Sequence, residues 1–159
     1  MKRKKITATI DGISYKIDSY EHTTEFENRN KDTVEESLKD SYEGKIDENY
    51  NLSNGYSYIF VTMTYTNNTD EQVEILRNAG VFYIINDDLE RLQVGDPGGI
   101  YIDNYWTEGK ENERYHYVLG AGESVTSEVG YIIQDEWMSE DSKYIYCLLY
   151  TSPSPRDCS

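Results

Sequence analysis

The sequence predicts an all-β domain, an antiparallel β-sandwich with one short surface helix near residues 34–42. Tyrosine supplies 16 of the 159 residues, set among Val, Ile and Thr, and aromatic and β-branched side chains pack well on a pleated surface. Short stretches alternate apolar and polar residues, as strands with one packed and one wet face require. Asp-Gly, Asn-Asn and Gly-containing turn signals separate them, and short strands divided by turns with little helix build sandwiches.

The first element is a hairpin at Ile10-Asp11-Gly12-Ile13, because Asp-Gly tolerates the positive φ angles of a type I′ turn. Ile13, Tyr15 and Ile17 then alternate with Ser14, Lys16 and Asp18. Residues 21–54 break the pattern with Glu, Asp, Asn and Lys. Within this acidic insertion, Thr33-Val34-Glu35-Glu36 has capping-box spacing, and Gly44 fits a helix stop. The spacing predicts a helix over 34–42 with Val34, Leu38 and Tyr42 as its buried stripe. A disordered acidic loop is the alternative.

Residues 55–66 form the clearest strand, with Ile59, Val61, Met63 and Tyr65 on one face and Tyr58, Phe60, Thr62 and Thr64 on the other. Asn67-Asn68-Thr69-Asp70 ends it. Residues 73–76 predict a short strand. The apolar run 81–85 predicts a central strand, and 89–94 its hairpin partner across Asn86-Asp87-Asp88. Asp96-Pro97-Gly98-Gly99 argues against regular structure. Residues 114–119 and 123–133 read as strands joined at Gly120-Ala121-Gly122. Residues 134–142 make a loop with one helical turn, and 143–146 begin a last strand.

The formal charge is −15, although Lys2, Arg3, Lys4 and Lys5 form a basic stub over residues 1–5. The rest is therefore more acidic still. Such a surface repels phosphate backbones, so nucleic acid is excluded as a partner, and anionic lipid is disfavoured on the domain face. No segment has transmembrane length. The expected partner is a protein or a glycan.

Residues 147–157 read Cys-Leu-Leu-Tyr-Thr-Ser-Pro-Ser-Pro-Arg-Asp. That string resembles a translated sequencing adapter, codon for codon, with Cys158 and Ser159 following from its index. Residues 147–159 are thus expected to be a non-native tail, leaving a single sandwich domain over 6–146 that carries the insertion 21–54. Both cysteines, Cys147 and Cys158, fall in this tail, so no disulfide, Cys-based zinc site or thiol nucleophile is expected. Leu148, Leu149 and Tyr150 are nonetheless strand-compatible, and the last strand is expected to run on into them.

Three stretches together resemble a known family: the strand from Tyr58 ending at Asn67-Asn68-Thr69, then Gly80-Val81-Phe82-Tyr83-Ile84-Ile85 with its polar turn, then Leu119-Gly120-Ala121-Gly122-Glu123-Ser124 leading to Gly130-Tyr131-Ile132-Ile133. This order is similar to uncharacterised immunoglobulin-like domains of Gram-positive lipoproteins and secreted proteins, over about residues 13–146. The resemblance implies a non-catalytic module held outside the membrane, and it supplies no catalytic residues. The family's lipobox cysteine and signal peptide are missing here, so an export signal upstream of Met1 is expected. The alternatives are a carbohydrate-binding accessory module of an enzyme and a cytoplasmic acidic protein.

Candidate chemistry is sparse. His22 and His116 lack a Gly-x-Ser-x-Gly partner and read as solvated or sheet-edge residues. The pairs Glu35-Glu36 and Asp87-Asp88, with Asp96, match no twelve-residue calcium loop. Neither a metal nor a cofactor is expected. Tyr101, Tyr105 and Trp106 are the candidate ligand-binding residues, because clustered aromatics can stack on sugar rings or anchor a protein. The competing reading is that they fill one end of the sandwich. Trp137 and Met138 are expected to pack.

Overall fold

A computed structural model describes residues 7–34, 37–77, 80–85, 91–92, 96–103, 115–137 and 143–148. Strands β1 (Thr7–Ile10) and β2 (Ile13–Thr23) form the predicted hairpin, with Ile10 opposite Ile13. Asp11 and Gly12 take φ values of 50° and 78°, the double positive pair of a type I′ turn. β2 pairs antiparallel with β3 (Tyr56–Asn67), bulging between Ile17 and Ser19. β3 in turn pairs along its whole length with β9 (Ser124–Gln134). β7 (Asp96–Ile102) closes a five-stranded sheet of order β1-β2-β3-β9-β7.

The remaining strands form two smaller sheets. β4 (Val73–Leu76) pairs with β8 (His116–Leu119). β5 (Gly80–Ile85) lies between β10 (Lys143–Leu148) and β6 (Arg91–Leu92), the central place that its sequence predicts. β10 runs on through Cys147 and Leu148, opposite Val81 and Gly80. The fold is thus all-β and antiparallel, a β-sandwich.

Period-two alternation places the main core. Ile59, Val61, Met63 and Tyr65 of β3 point to one side, with Ile13 and Tyr15 of β2 and Val129, Tyr131 and Ile133 of β9. Ile75 of β4 and Leu119 of β8 meet them from the opposite layer. Buried phenols need partners: Tyr65 Oη donates to the Arg77 carbonyl at 2.7 Å. The outer face at the far end of β3 is polar, with Thr64 and Thr126 hydroxyls 2.8 Å apart, and those of Thr66 and Ser124 likewise.

The structure corrects two expectations. The helix is shorter than predicted: α1 spans Leu38–Ser41, preceded by a 3-10 turn over Lys31–Thr33. The Thr33 hydroxyl donates back to the Asn30 carbonyl at 2.8 Å. Val34 is extended and bridges to Tyr101 of β7, which breaks the helical path. The stripe itself holds, since Val34, Leu38 and Tyr42 are all buried. The second correction is that β7 begins at Asp96, inside the segment expected to be irregular. β7 is an edge strand, and its register shifts between Asp96 and Tyr101. Pro97 falls in that shift, where the ladder asks for no donor.

Gly130 is needed for close approach. A Cβ there would lie 2.8 Å from Phe60 Cε1 and 3.2 Å from Tyr101 Cβ. Gly130→Ala is expected to cost about 1–3 kcal/mol through overpacking, read as a lower urea midpoint with an unchanged slope.

Candidate functional site

The acidic insertion is folded. Its apolar residues are too scattered for one helix, yet they converge on the outer face of the five-stranded sheet. Phe26, Val34, Leu38, Tyr42 and Leu52 pack there against Tyr58, Phe60, Ile100, Tyr101 and Ile132, making a second core. Phe26 is its centre, with ring centroids 5.4–6.1 Å from those of Tyr50, Tyr58, Phe60 and Tyr101. Tyr58 Oη donates to the Tyr50 carbonyl at 2.7 Å, tying sheet to insertion, and burial pushes this phenol's pKa up.

Arg29 bolts the assembly together. Its Nε and Nη2 grip both oxygens of Glu128 on β9 at 2.6 and 3.2 Å. Nη2 also reaches Glu21 at 3.0 Å, Nη1 donates to the Phe26 carbonyl, and the guanidinium lies 3.5 Å from the Phe60 ring centroid. Planar, two-pronged pairing with simultaneous stacking is what arginine offers and lysine does not. Burial alone would lower the Arg29 pKa; the bonds and charges of Glu128 and Glu21 outweigh it and raise it.

Above this second core lies an open cleft of about 360 Å³, lined by Glu25, Glu27, Lys31, Asn49 and Asn51. Its wall is built by Asp47, whose Oδ1 accepts from Asn49 N and Asn51 N at 2.8 Å each. Those donors, that of Asn51 first, hold the Asp47 pKa below the usual carboxylate range. Asn51 Oδ1 accepts from Phe26 N at 2.9 Å, so the wall is anchored in the core beneath. Glu27 in the lining and Tyr50, between Asn49 and Asn51, have positive φ, 57° and 66°, which non-glycine residues adopt only when their surroundings enforce it. The cleft can offer carboxylate and amide oxygens, and one ammonium, to a polar ligand.

Of the predicted aromatic trio, Tyr101 alone lies among the described residues. Tyr101 is 3 % exposed and touches Phe26 and Phe60 edge-on. It cannot stack on a sugar; it packs in the second core, between the sheet and the insertion. Burial, followed by the nearby Glu128 and Asp103 charges, pushes its phenol up to about 12. Tyr105 and Trp106 lie outside the described residues, as do Glu35-Glu36, Asp87-Asp88 and Met138.

His116 Nδ1 lies 2.7 Å from Glu74 Oε1 on the β4–β8 ribbon. His22 Nε2 is 3.9 Å from Asp135 Oδ1, and that same oxygen accepts a short hydrogen bond from the buried Ser57 hydroxyl. Serine, histidine and aspartate thus meet, but in the wrong order. A nucleophilic relay needs imidazole between hydroxyl and carboxylate; here the carboxylate stands between, and it ties β3 to the 3-10 turn Asp135–Trp137. Among the described residues, no group of three or more His, Cys, Asp or Glu could hold a metal ion, and no helix is long and apolar enough to cross a membrane.

Sequence reasoning missed Arg29 and Arg77. Arg77 is fully buried and donates to Ser127 Oγ at 2.8 Å, and burial lowers its pKa. Neither arginine sits in a motif, because their partners are 50 and 99 residues distant. The cleft was missed because its lining is spread over 25–51 of a segment that reads as solvated charge.

No protein-family model matches the chain, and no curated protein matches it in sequence. Among solved structures, an uncharacterized β-sandwich protein from Clostridium difficile 630 is similar over 92 % of this chain and 84 % of its own, at 11 % identity and a TM-score of 0.45. A conserved hypothetical protein from Bacillus anthracis is similar over 93 % of this chain and 89 % of its own, at 11 % identity and TM-score 0.47. A candidate lipoprotein (ycdA) from Bacillus subtilis subsp. subtilis strain 168 is similar over 99 % of this chain but only 38 % of its own length, at 10 % identity and TM-score 0.46. Likenesses this distant assign no activity, ligand or partner.

Proposed function

We propose that the chain is a non-catalytic binding or structural module, displayed outside the membrane by a bacterial cell-envelope or secreted protein. One observation supports it above others: the insertion has its own core, bolted to the sheet by Arg29 and Phe26, and presents a fixed polar cleft on a rigid sandwich. Loops carried on a rigid scaffold are where recognition concentrates. The export part of the reading rests on the resemblance of the strand-and-turn order to Gram-positive envelope domains.

The test is retention on isolated cell envelopes. Reversing two charges of the cleft, Glu25→Lys with Glu27→Lys, is expected to abolish retention while thermal unfolding stays cooperative. Retention unchanged by that pair, but lost with Trp106→Ala on a polysaccharide column, would replace the cleft by the sugar-binding alternative carried on Tyr105 and Trp106.

A further inference from the structure

We propose that Asn54–Gly55 is a site of spontaneous deamidation, and that conversion of Asn54 unlatches the base of the hairpin over residues 44–54. The chemistry needs an asparagine followed by an unhindered backbone nitrogen, and glycine is the one residue with no side chain to shield it. Asn54 and Gly55 are both exposed, in the turn leading into β3. Among the described residues Gly55 N–H donates no hydrogen bond, so its nitrogen is free to react. The space a Cβ would take at Gly55 has no neighbour within 4 Å, so no packed side chain covers this residue on that side. Other described asparagines differ: Asn49, Asn51 and Asn67 are followed by Tyr50, Leu52 and Asn68, and Asn67 is fully buried.

The step balances with water alone. Gly55 N loses its proton and bonds to Asn54 Cγ; the Cγ–Nδ2 bond breaks, and Nδ2 leaves as ammonia carrying that proton. Water then opens the five-membered imide at either carbonyl, giving aspartate or isoaspartate. No oxidant, metal or enzyme is required, and asparagine is among the heat-labile residues for this reason.

The structural consequence follows from one bond. Asn54 Nδ2 donates to the Gly44 carbonyl at 2.8 Å, beside the Ser53 N to Lys45 O bond at 2.8 Å and the Ile46–Leu52 bridge. Together these close a hairpin whose tip, Asp47 to Asn51, forms the cleft wall. After conversion an acceptor-only carboxylate faces the Gly44 carbonyl, and two acceptors repel. Isoaspartate would add a backbone methylene at the same point.

The experiment incubates the folded chain at mildly alkaline pH and body temperature, then maps peptides by mass and by isoaspartate-specific methylation. The expected result is conversion at Asn54 ahead of every other asparagine, with one added negative charge on ion exchange. That charge separates it from isomerisation at Asp11–Gly12, which changes none. Asn54→Gln is expected to abolish the charge gain. Asn54→Asp, mimicking one product, is expected to speed amide exchange at Ser53 while leaving the strands β3 and β9 protected. Conversion only after urea unfolding would overturn the proposal, as would another asparagine reacting first. Unchanged Ser53 exchange in Asn54→Asp would overturn the unlatching.

Discussion

Asn67→Asp is expected to destabilise the fold by roughly 3 kcal/mol or more, the scale of burying an unpaired charge or polar group. Asn67 is fully buried at the end of β3. Its Nδ2 donates toward the carbonyls of Glu71, Gly120 and Leu119 at 2.7, 3.0 and 3.3 Å. Its Oδ1 accepts from Thr69 N at 2.9 Å and Thr69 Oγ1 at 2.7 Å. One amide therefore joins the β3 turn to the β8–β9 turn. The acid is the same shape, but its second oxygen would face three carbonyls with nothing to donate. The sign with pH is diagnostic. A carboxyl in this setting prefers its protonated form, so its folded pKa is raised above the unfolded one. The penalty is absent below the unfolded value and grows as pH rises through the folded one. Urea unfolding of the variant should approach wild-type stability in acid and fall away toward neutral pH; a pH-independent deficit would contradict this account.

The second large effect is Phe26→Ala, expected to cost about 3–5 kcal/mol, as large-to-small changes in aromatic cores do. Phe26 touches four rings at once and is wholly buried, so the surroundings have little freedom to collapse. The loss should first appear as local opening. Amides of residues 26–53 are expected to exchange faster, while those of β3 and β9, which also belong to the main core, stay protected. Uniform acceleration across the chain would mean that the two cores unfold as one.

The strand pattern was legible because alternation is a local signal. Ile59, Val61, Met63 and Tyr65 could be sided from the sequence, and so could the Asp11-Gly12 turn. Two errors share a physical cause. The helix was expected to begin at Val34, and Asp96-Pro97-Gly98-Gly99 to be a break, yet contacts far along the chain decided both: Val34 pairs with Tyr101, and edge placement tolerates Pro97. The second core was illegible for the same reason. Phe26, Leu38 and Leu52 have no common period, and only the sheet beneath gives them a common direction. The candidate site was read less well than the fold. Tyr101 was named for its clustering with other aromatics and is buried, whereas Glu25, Glu27 and Asn49 were passed over as ordinary polar surface.

The outer face of the large sheet is greasy at one end and wet at the other, and the excursion between β2 and β3 covers only the greasy end. Its length is therefore not free to vary like that of an ordinary loop. A relative lacking this excursion would have to repaint Tyr58, Phe60, Tyr101 and Ile132 with water-loving residues, or else present a sticky patch to its neighbours. Gain or loss of this appendage is thus coupled to substitutions on strands it merely shelters.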